Sequence, residues 1–361
     1  MSDRTEPLRI GILGAARIAP LSIVAPAQAT GTRLVAIAAR DRGRAAAFAD
    51  EHGVERILDS YAAVLADPDV EVVYNPLPHG LHARWNIRAL QAGKHVLSEK
   101  PSAANAEEAR RTLEAVRAAG DRVFMEAFHY PYHPMFHRVC ELIESGAIGQ
   151  VRHIDVPLLM PDPGADDPRW QWDLAGGSVM DLGCYSLSCL AMLGERFCGG
   201  TPEVVSAKAQ TRAEDSRIDE RLFAQVAFPS GATGSGGSDM AADDWSFTLV
   251  VTGTSGELVV PAFPLPHQDD RIIVRSAASA PLSRTRPEEA APVTTERGGE
   301  HVEHLGTRSS YTYQLEAMTA AVREGASVAT DAQFAVRVME LVDSAYAAAG
   351  LPPRPASAVA A

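Results

Sequence analysis

Along the first 127 positions, short apolar runs alternate with stretches of helical character. Residues 8–14 read as a strand entering a glycine turn, and the alanine-rich segment from Ala15 reads as a helix start. The run 34–39 predicts a second strand, and 42–52 a helix stopped at Gly53. A helix over 61–66, broken at Asp67-Pro68, precedes a strand over 70–74. Residues 82–91 are helical up to Gly93, 95–98 form a strand, 107–119 a helix, and 122–125 a last strand. Strands that alternate with helices of this length need crossover connections, which predicts an α/β Rossmann domain with a parallel, doubly wound sheet.

Beyond about residue 127 the rhythm changes. A helix over 135–145 is followed by strand-like stretches at 151–160, 203–212, 221–228, 245–252 and 257–260, with a glycine-led helix interposed at 178–193. This predicts an α+β domain with a large open, mainly antiparallel sheet. Residues 276–304 are rich in Ser, Pro, Glu and Gly without periodicity, and read as a long excursion or partly mobile loop. Helices are expected over 311–324 and 332–349, and 352–361 reads as a fraying tail. The expected domains are 1–127 and 128–361, the second including the C-terminal helices 311–349.

Length and charge narrow the partners. At ~100–200 residues per domain, 361 residues make two domains with proper cores. The net charge of -13 disfavours phosphate backbones and anionic lipid surfaces, so a small-molecule partner is expected, with no nucleic acid and no membrane. The apolar runs fall short of a membrane span, and the polar residues 1–7 do not read as a signal sequence, so the expected location is cytoplasmic. Cys140, Cys184, Cys189 and Cys198 contain no C-x-x-C pair and read as reduced core thiols.

Candidate chemistry gathers where the strands of the first sheet end. The run Gly14-Ala15-Ala16-Arg17-Ile18-Ala19 takes the place of a G-x-G-x-x-G/A fingerprint, in which backbone N–H groups and a helix N-terminus receive a pyrophosphate. Ala16 stands where the second glycine would be. At the end of the second strand Arg40, with Arg44 one turn on, suits a ribose 2′-phosphate; Asp41 is the competing contact for a free ribose. Leu77, Pro78 and His82 follow the third strand, where His82 either packs beside a nicotinamide or caps the next helix. Glu99-Lys100-Pro101 follows the fourth. Burial and the positive charge of an oxidised nicotinamide are expected to lower the Lys100 pKa and make it a usable proton donor or acceptor. In the second domain Asp181 and Tyr185 lie four apart, on one face of a helix. His129 and His133 are also four apart, but Pro131 and Pro134 rule out a regular helix presenting both, and no metal is expected.

Taken together, several segments resemble the Gfo/Idh/MocA (glucose-fructose oxidoreductase / inositol dehydrogenase) superfamily: 11–19, Leu-Pro-His-Gly-Leu-His at 77–82, Ala-Gly-Lys-His-Val-Leu-Ser-Glu-Lys-Pro at 92–101, Met-Glu-Ala-Phe-His-Tyr at 125–130, Gly-Gly-Ser-Val-Met-Asp-Leu-Gly-Cys-Tyr at 176–185 and Gly-Thr-Ser-Gly-Glu-Leu at 253–258. The resemblance implies that Lys100 is catalytic, that the second-domain helix supplies Asp181, and that Tyr185 stands where many members have histidine. Tyrosine there is similar to the branch of dimeric dihydrodiol and NADP-dependent D-xylose dehydrogenases, which implies NADP(H). It also implies a homodimer or higher homo-oligomer through the open sheet. Pro131 departs from the arginine that many relatives carry beside the substrate cleft.

The expected activity is NADP(H)-dependent hydride transfer on a sugar, ketosugar or cyclic diol, with Lys100 and Tyr185 as a joint proton-transfer unit and Asp181 beside them. Gly14, Ala16, Arg17, Ile18, Arg40, Arg44, Leu77, Pro78, His82, Glu99 and Lys100 are expected to hold the cofactor. Two alternatives keep the fold: reduction of an imine, or a noncatalytic nicotinamide-binding sensor.

Overall fold

The protein is described by a computed structural model over residues 6–276, 293–297 and 300–356. In the first sheet β1 (Arg9–Leu13), β2 (Arg33–Ala38), β3 (Val72–Asn75), β4 (His95–Ser98) and β5 (Phe124–Glu126) run parallel in the order β2-β1-β3-β4-β5. Between them lie α1 (Ala25–Thr30), α2 (Arg42–His52), α3 (Tyr61–Ala66), α4 (His79–Gln91) and α5 (Ala106–Ala118). The strand order reverses between β1 and β3, so a crevice opens at the carboxyl ends of these strands. Two helix starts differ from the sequence reading. Residues 15–18 form an open loop, and a π-helical turn, Pro20–Val24, precedes α1. Pro78, with its extended backbone, caps α4 and brings the helix start forward to His79.

The second sheet has ten strands: β6 (Val151–Leu159), β7 (Glu203–Thr211), β8 (Asp219–Ala227), β9 (Thr233–Asp239), β10 (Ser246–Phe247), β11 (Leu249–Gly253), β12 (Gly256–Val260), β13 (Arg271–Ser276), β14 (Val293–Arg297) and β15 (Glu300–His304). Nine follow the order β14-β15-β13-β12-β11-β6-β9-β8-β7, and β10 pairs with β6. All neighbours are antiparallel except β6 and β9. The segment 276–304, expected as a loop, therefore supplies two strands; 277–292 and 298–299 lie outside the described residues.

The inner face of this sheet carries α7 (Cys184–Phe197), entered through a π-helical turn at Val179–Gly183, and α6 (Pro134–Glu144) lies in the same core. The segment Trp172–Phe197, which ends in α7, is long and apolar enough to pass for a membrane span by composition, but 94% of its apolar window is buried in the core of this fold. All four cysteines are free and buried.

The last two helices join the halves. Leu315 and Met318 of α8 (Ser310–Glu324) pack into the core formed by Ile10, Ile12 and Tyr74 of the first sheet. In α9 (Ala332–Ala348) Asp343 accepts the N–H of Ala106 at the start of α5 (2.9 Å), while Tyr346 packs in the second-domain core. The tail expected to fray instead buries Arg354, which is 1% exposed.

Candidate active site

A cleft of about 770 Å³ opens between the crevice of the first sheet and the second domain. Gly14, Ala16, Arg17 and Ile18 line it from the first loop, Arg40 and Arg44 from the end of β2, and Leu77, Pro78, His82, Glu99 and Lys100 from the ends of β3 and β4. From the other side come Asp181, Tyr185, Tyr311 and an apolar wall that includes Met160, Trp245 and Phe247.

The first loop is shaped as an anion cradle. Gly14 has φ +91°, a conformation that suits glycine, and its N–H is held by the Ala38 carbonyl (2.7 Å). Among the described residues, the N–H groups of Ala15, Ala16, Arg17 and Ile18 reach no backbone acceptor. They are free for a phosphate at the edge of the following helical turn. Arg44 Nη2 donates to the Ala15 carbonyl (2.9 Å), and Arg40 is exposed on the same side. Asp41 is occupied: its carboxylate caps α2, accepting from the N–H groups of Gly43 (2.8 Å) and Arg44 (3.1 Å). Two cations beside a carboxylate with one oxygen committed to the helix cap suit a 2′-phosphate, so the residues fit NADP(H). Arg17 reaches across the cleft mouth to the buried carboxylate of Asp167.

Lys100 stands at the centre of a charged cluster. Its Nζ donates to the Asp181 backbone carbonyl (2.6 Å) and lies 3.2 Å from Asp181 Oδ1. Arg169 Nε meets Asp181 Oδ2 at 2.7 Å, and His79 Nε2 lies 4.0 Å from Oδ1. Burial is the largest single influence and opposes the charge on Lys100, but Asp181, Cys184 and Glu99 together outweigh it and raise the pKa above the ordinary lysine value. This corrects the expected lowering: the summed attraction of these neighbours favours the ammonium more than burial disfavours it. Burial likewise works against the Asp181 carboxylate, and chiefly Lys100 and Arg169 overcome it, holding its pKa below the usual range. Burial pushes His79 down to about 3, so its imidazole is neutral.

Tyr185 does not hydrogen-bond Lys100. The ammonium lies over the phenol ring, 5.0 Å from its centroid, while Oη is 3.0 Å from His129 Nε2. His129 Nδ1 lies 2.8 Å from Ser310 Oγ, and the imidazole stacks on Tyr311 with centroids 3.8 Å apart. Burial raises the Tyr185 pKa well above that of free tyrosine, so it is a neutral phenol.

His82 does not cap α4, whose N-cap is Pro78; it lies within that helix and lines the cleft. Its ring is 1% exposed, with Nδ1 2.7 Å from the Pro101 carbonyl and Nε2 2.5 Å from that of Leu77. It straps the 77–78 loop to the turn after Lys100. Glu99 is similarly enclosed, its Oε1 accepting from Tyr74 Oη at 2.7 Å. Sequence reasoning overlooked His79, Asp167, Arg169, Tyr311 and Trp245, and considered His129 only as a metal ligand. Proximity to 77–82 was the one signal for His79. The remaining residues come from segments that no local spacing connects to Lys100.

Comparison with known proteins places this geometry in a lineage. A family model described as an oxidoreductase family with an NAD-binding Rossmann fold matches residues 8–127, and the GFO/IDH/MocA C-terminal domain matches 136–259. The chain is similar to D-xylose 1-dehydrogenase (NADP(+)) 2 of Haloferax volcanii, 37% identical over 95% of this chain and 97% of the relative. It is also similar to bovine (Bos taurus) trans-1,2-dihydrobenzene-1,2-diol dehydrogenase, 34% identical over 65% of this chain and 72% of that protein. Among solved structures, KijD10, a 3-ketoreductase from Actinomadura kijaniata in complex with NADP and TDP-benzene, superimposes with a TM-score of 0.81 at 27% identity, covering 95% of this chain and 98% of the other.

Proposed function

Because the chain belongs to the GFO/IDH/MocA family of oxidoreductases, we propose that it moves a hydride between NADP(H) and the carbinol or carbonyl carbon of a sugar, ketosugar or cyclic diol. The observation that carries this reading is the joint presence, on one cleft, of the Lys100–Asp181 pair, the Tyr185 phenol and a phosphate cradle flanked by Arg40 and Arg44. A nicotinamide-binding sensor needs the cradle but not the proton-transfer groups.

The bound cofactor supplies or accepts the hydride. The chain's own residues manage the proton at the substrate oxygen. With its pKa raised, Lys100 is an ammonium at neutral pH and serves as a donor or as the charge that stabilises a developing alkoxide. The Tyr185 hydroxyl carries the proton to or from that oxygen. Asp181, shared between Lys100 and Arg169, holds the ammonium in place. Trp245, 62% exposed on the cleft wall and edge-on to Phe247, offers a flat apolar surface suited to the C–H face of a sugar ring or cyclic diol.

The test is turnover of aldoses, ketosugars, dihydrodiols and cyclic imines with NADP or NADPH. Oxidation or reduction at a C–O centre supports the reading, turnover of imines alone moves the chemistry to C=N, and no turnover with tight NADPH binding leaves a sensor. Cofactor choice has a sharper check. Charge-assisted hydrogen bonds are worth ~1.5–3 kcal/mol, so Arg40→Ala is expected to weaken NADP binding by roughly one to two orders of magnitude while sparing NAD. Equal losses in titrations of both cofactors would remove Arg40 from the phosphate site.

The assembly we propose is a homodimer or higher homo-oligomer built on the outer face of the second sheet. Val250, Val259, Ile273 and Val302 are paired in register across β11, β12, β13 and β15, giving an apolar row that the protein's own helices leave half-exposed. Light scattering at micromolar concentration is expected to give at least twice the chain mass; a monomer rejects the interface. We also propose a cytoplasmic location, where four free thiols stay reduced, to be checked by cell fractionation.

A further inference from the structure

Behind Tyr185 lies a buried pair that the proton chemistry above does not use. His129 is 1% exposed and Ser310 is fully buried; one imidazole nitrogen faces the Tyr185 oxygen and the other the Ser310 hydroxyl. A neutral imidazole has one N–H and one lone pair, so the two contacts cannot both be donations from the ring. Burial, reinforced by the nearby Lys100 charge, drives the His129 pKa well below that of free histidine, which leaves its tautomer as the open variable.

Hydrogen-bond accounting settles the tautomer. Among the described residues, His129 Nδ1 is the one partner of the Ser310 hydroxyl. If Nδ1 carried the hydrogen, Ser310 would have to accept, and its own hydrogen would be buried without an acceptor, a loss that folded proteins avoid. If Nε2 carries it, every group is used: Ser310 donates to Nδ1, Nε2–H donates to Tyr185 Oη, and the phenol keeps its own hydrogen for another acceptor. Tyr311 stacks on the same imidazole and lines the same cleft.

We infer that His129, held by Ser310 in its Nε2–H tautomer, is a positioning residue: by donating to Tyr185 Oη it fixes the phenol oxygen and leaves the Tyr185 hydrogen available to a substrate oxygen in the cleft. In reduction Tyr185 gives that hydrogen to the developing alkoxide and becomes a phenolate that the His129 N–H continues to hold, to be reprotonated from solvent; oxidation runs the same step backwards from the phenolate. The imidazole stays neutral and Ser310 keeps its hydrogen in both. The inference rests on the proposed action of Tyr185 at the substrate oxygen, and it adds the group that orients Tyr185.

The test reads the imidazole directly, without substrate or cofactor. In protein carrying nitrogen-15-labelled histidine, with the signals of residue 129 identified by their loss in His129→Gln, Nε2 is expected at a pyrrole-type shift and Nδ1 at a pyridine-type shift, unchanged across neutral pH. Ser310→Ala is expected to move both shifts toward a mixture of tautomers. A protonated Nδ1 in the wild type, or an imidazolium that titrates near neutrality, overturns the inference. With the carbonyl compound that the wild type reduces fastest, His129→Phe is expected to lower kcat about three- to tenfold, the worth of one neutral hydrogen bond, with NADPH affinity kept. His129→Gln, whose amide can donate to Oη, is expected to restore most of that loss. Equal losses in both variants overturn the positioning role. A protein that turns over no C–O substrate but shows the Nε2–H tautomer would refute the proposed function and leave the tautomer assignment standing.

Discussion

Lys100→Met and Tyr185→Phe are each expected to lower kcat by roughly two to four orders of magnitude, the usual contribution of a positioned proton-transfer group, while NADPH affinity measured by fluorescence titration stays near the wild-type value. The lysine variant should fold, because Asp181 keeps Arg169 at 2.7 Å and is not left as an unpaired buried charge. The phenylalanine variant strands one hydrogen-bonding nitrogen of His129, a cost of about 1–3 kcal/mol in stability. The two losses should not add. The ammonium lies over the ring that carries the hydroxyl, and the proposed mechanism has both groups serve the same substrate oxygen, so the double variant is expected to be little worse than the poorer single one. Full activity in Tyr185→Phe would leave Lys100 as the sole acid. Additive losses would separate the residues into independent steps.

What was legible in the chain depended on the range of the signal. α2 was readable to its ends because Asp41 caps it and Gly53 closes it in a left-handed conformation, both local events. β4 was readable because its four residues are all buried and bounded by polar neighbours. β9 was missed: Thr-Gly-Ser-Gly-Gly-Ser-Asp has no apolar alternation, and it is a strand because β6 and β8 pair with it on either side. β14 and β15 were missed for the same reason, since these mostly polar strands, the last two on one side of the sheet, carry little periodicity. In the site, the Glu-Lys-Pro triplet and the four-residue step from Asp181 to Tyr185 stood out locally. The grip of Arg169 on Asp181 and of His129 on Tyr185 did not, because the latter partners lie 56 residues apart and only the tertiary fold unites them. The sign of the Lys100 shift failed likewise: it depends on a carboxylate 81 residues away.

The C-terminal tail is where reading by composition failed most, and it carries the second large expected effect. Arg354 and Asp219 form an ion pair in which both side chains are fully buried. Arg354 Nε also donates to the Gly176 carbonyl (2.5 Å), and its guanidinium carbon sits 4.1 Å from the Tyr346 ring centroid. Room for it exists because residue 177 is glycine: with φ +134°, a Cβ there would lie 2.5 Å from Arg354 Nη2. Asp219 in turn accepts from Ser178 Oγ (2.9 Å) and the Val179 N–H (2.8 Å), at the start of the turn that carries Asp181. The tail thus anchors, from behind, the helical segment that carries Asp181 and Tyr185. Burial already raises the Asp219 pKa against the pull of Arg354, so loss of the guanidinium leaves a carboxyl that must take up a proton or stay charged without a cation. Breaking a buried pair in this way costs about 3–5 kcal/mol, and Arg354→Met is expected to lower the unfolding free energy by that amount in urea, with the denaturant slope unchanged. Asp219→Asn added to Arg354→Met should recover part of the loss, because a neutral amide no longer needs the cation. A change below about 1 kcal/mol in the single variant would mean that the tail is dispensable and that α7 is held by its packing on β6 and β9 alone.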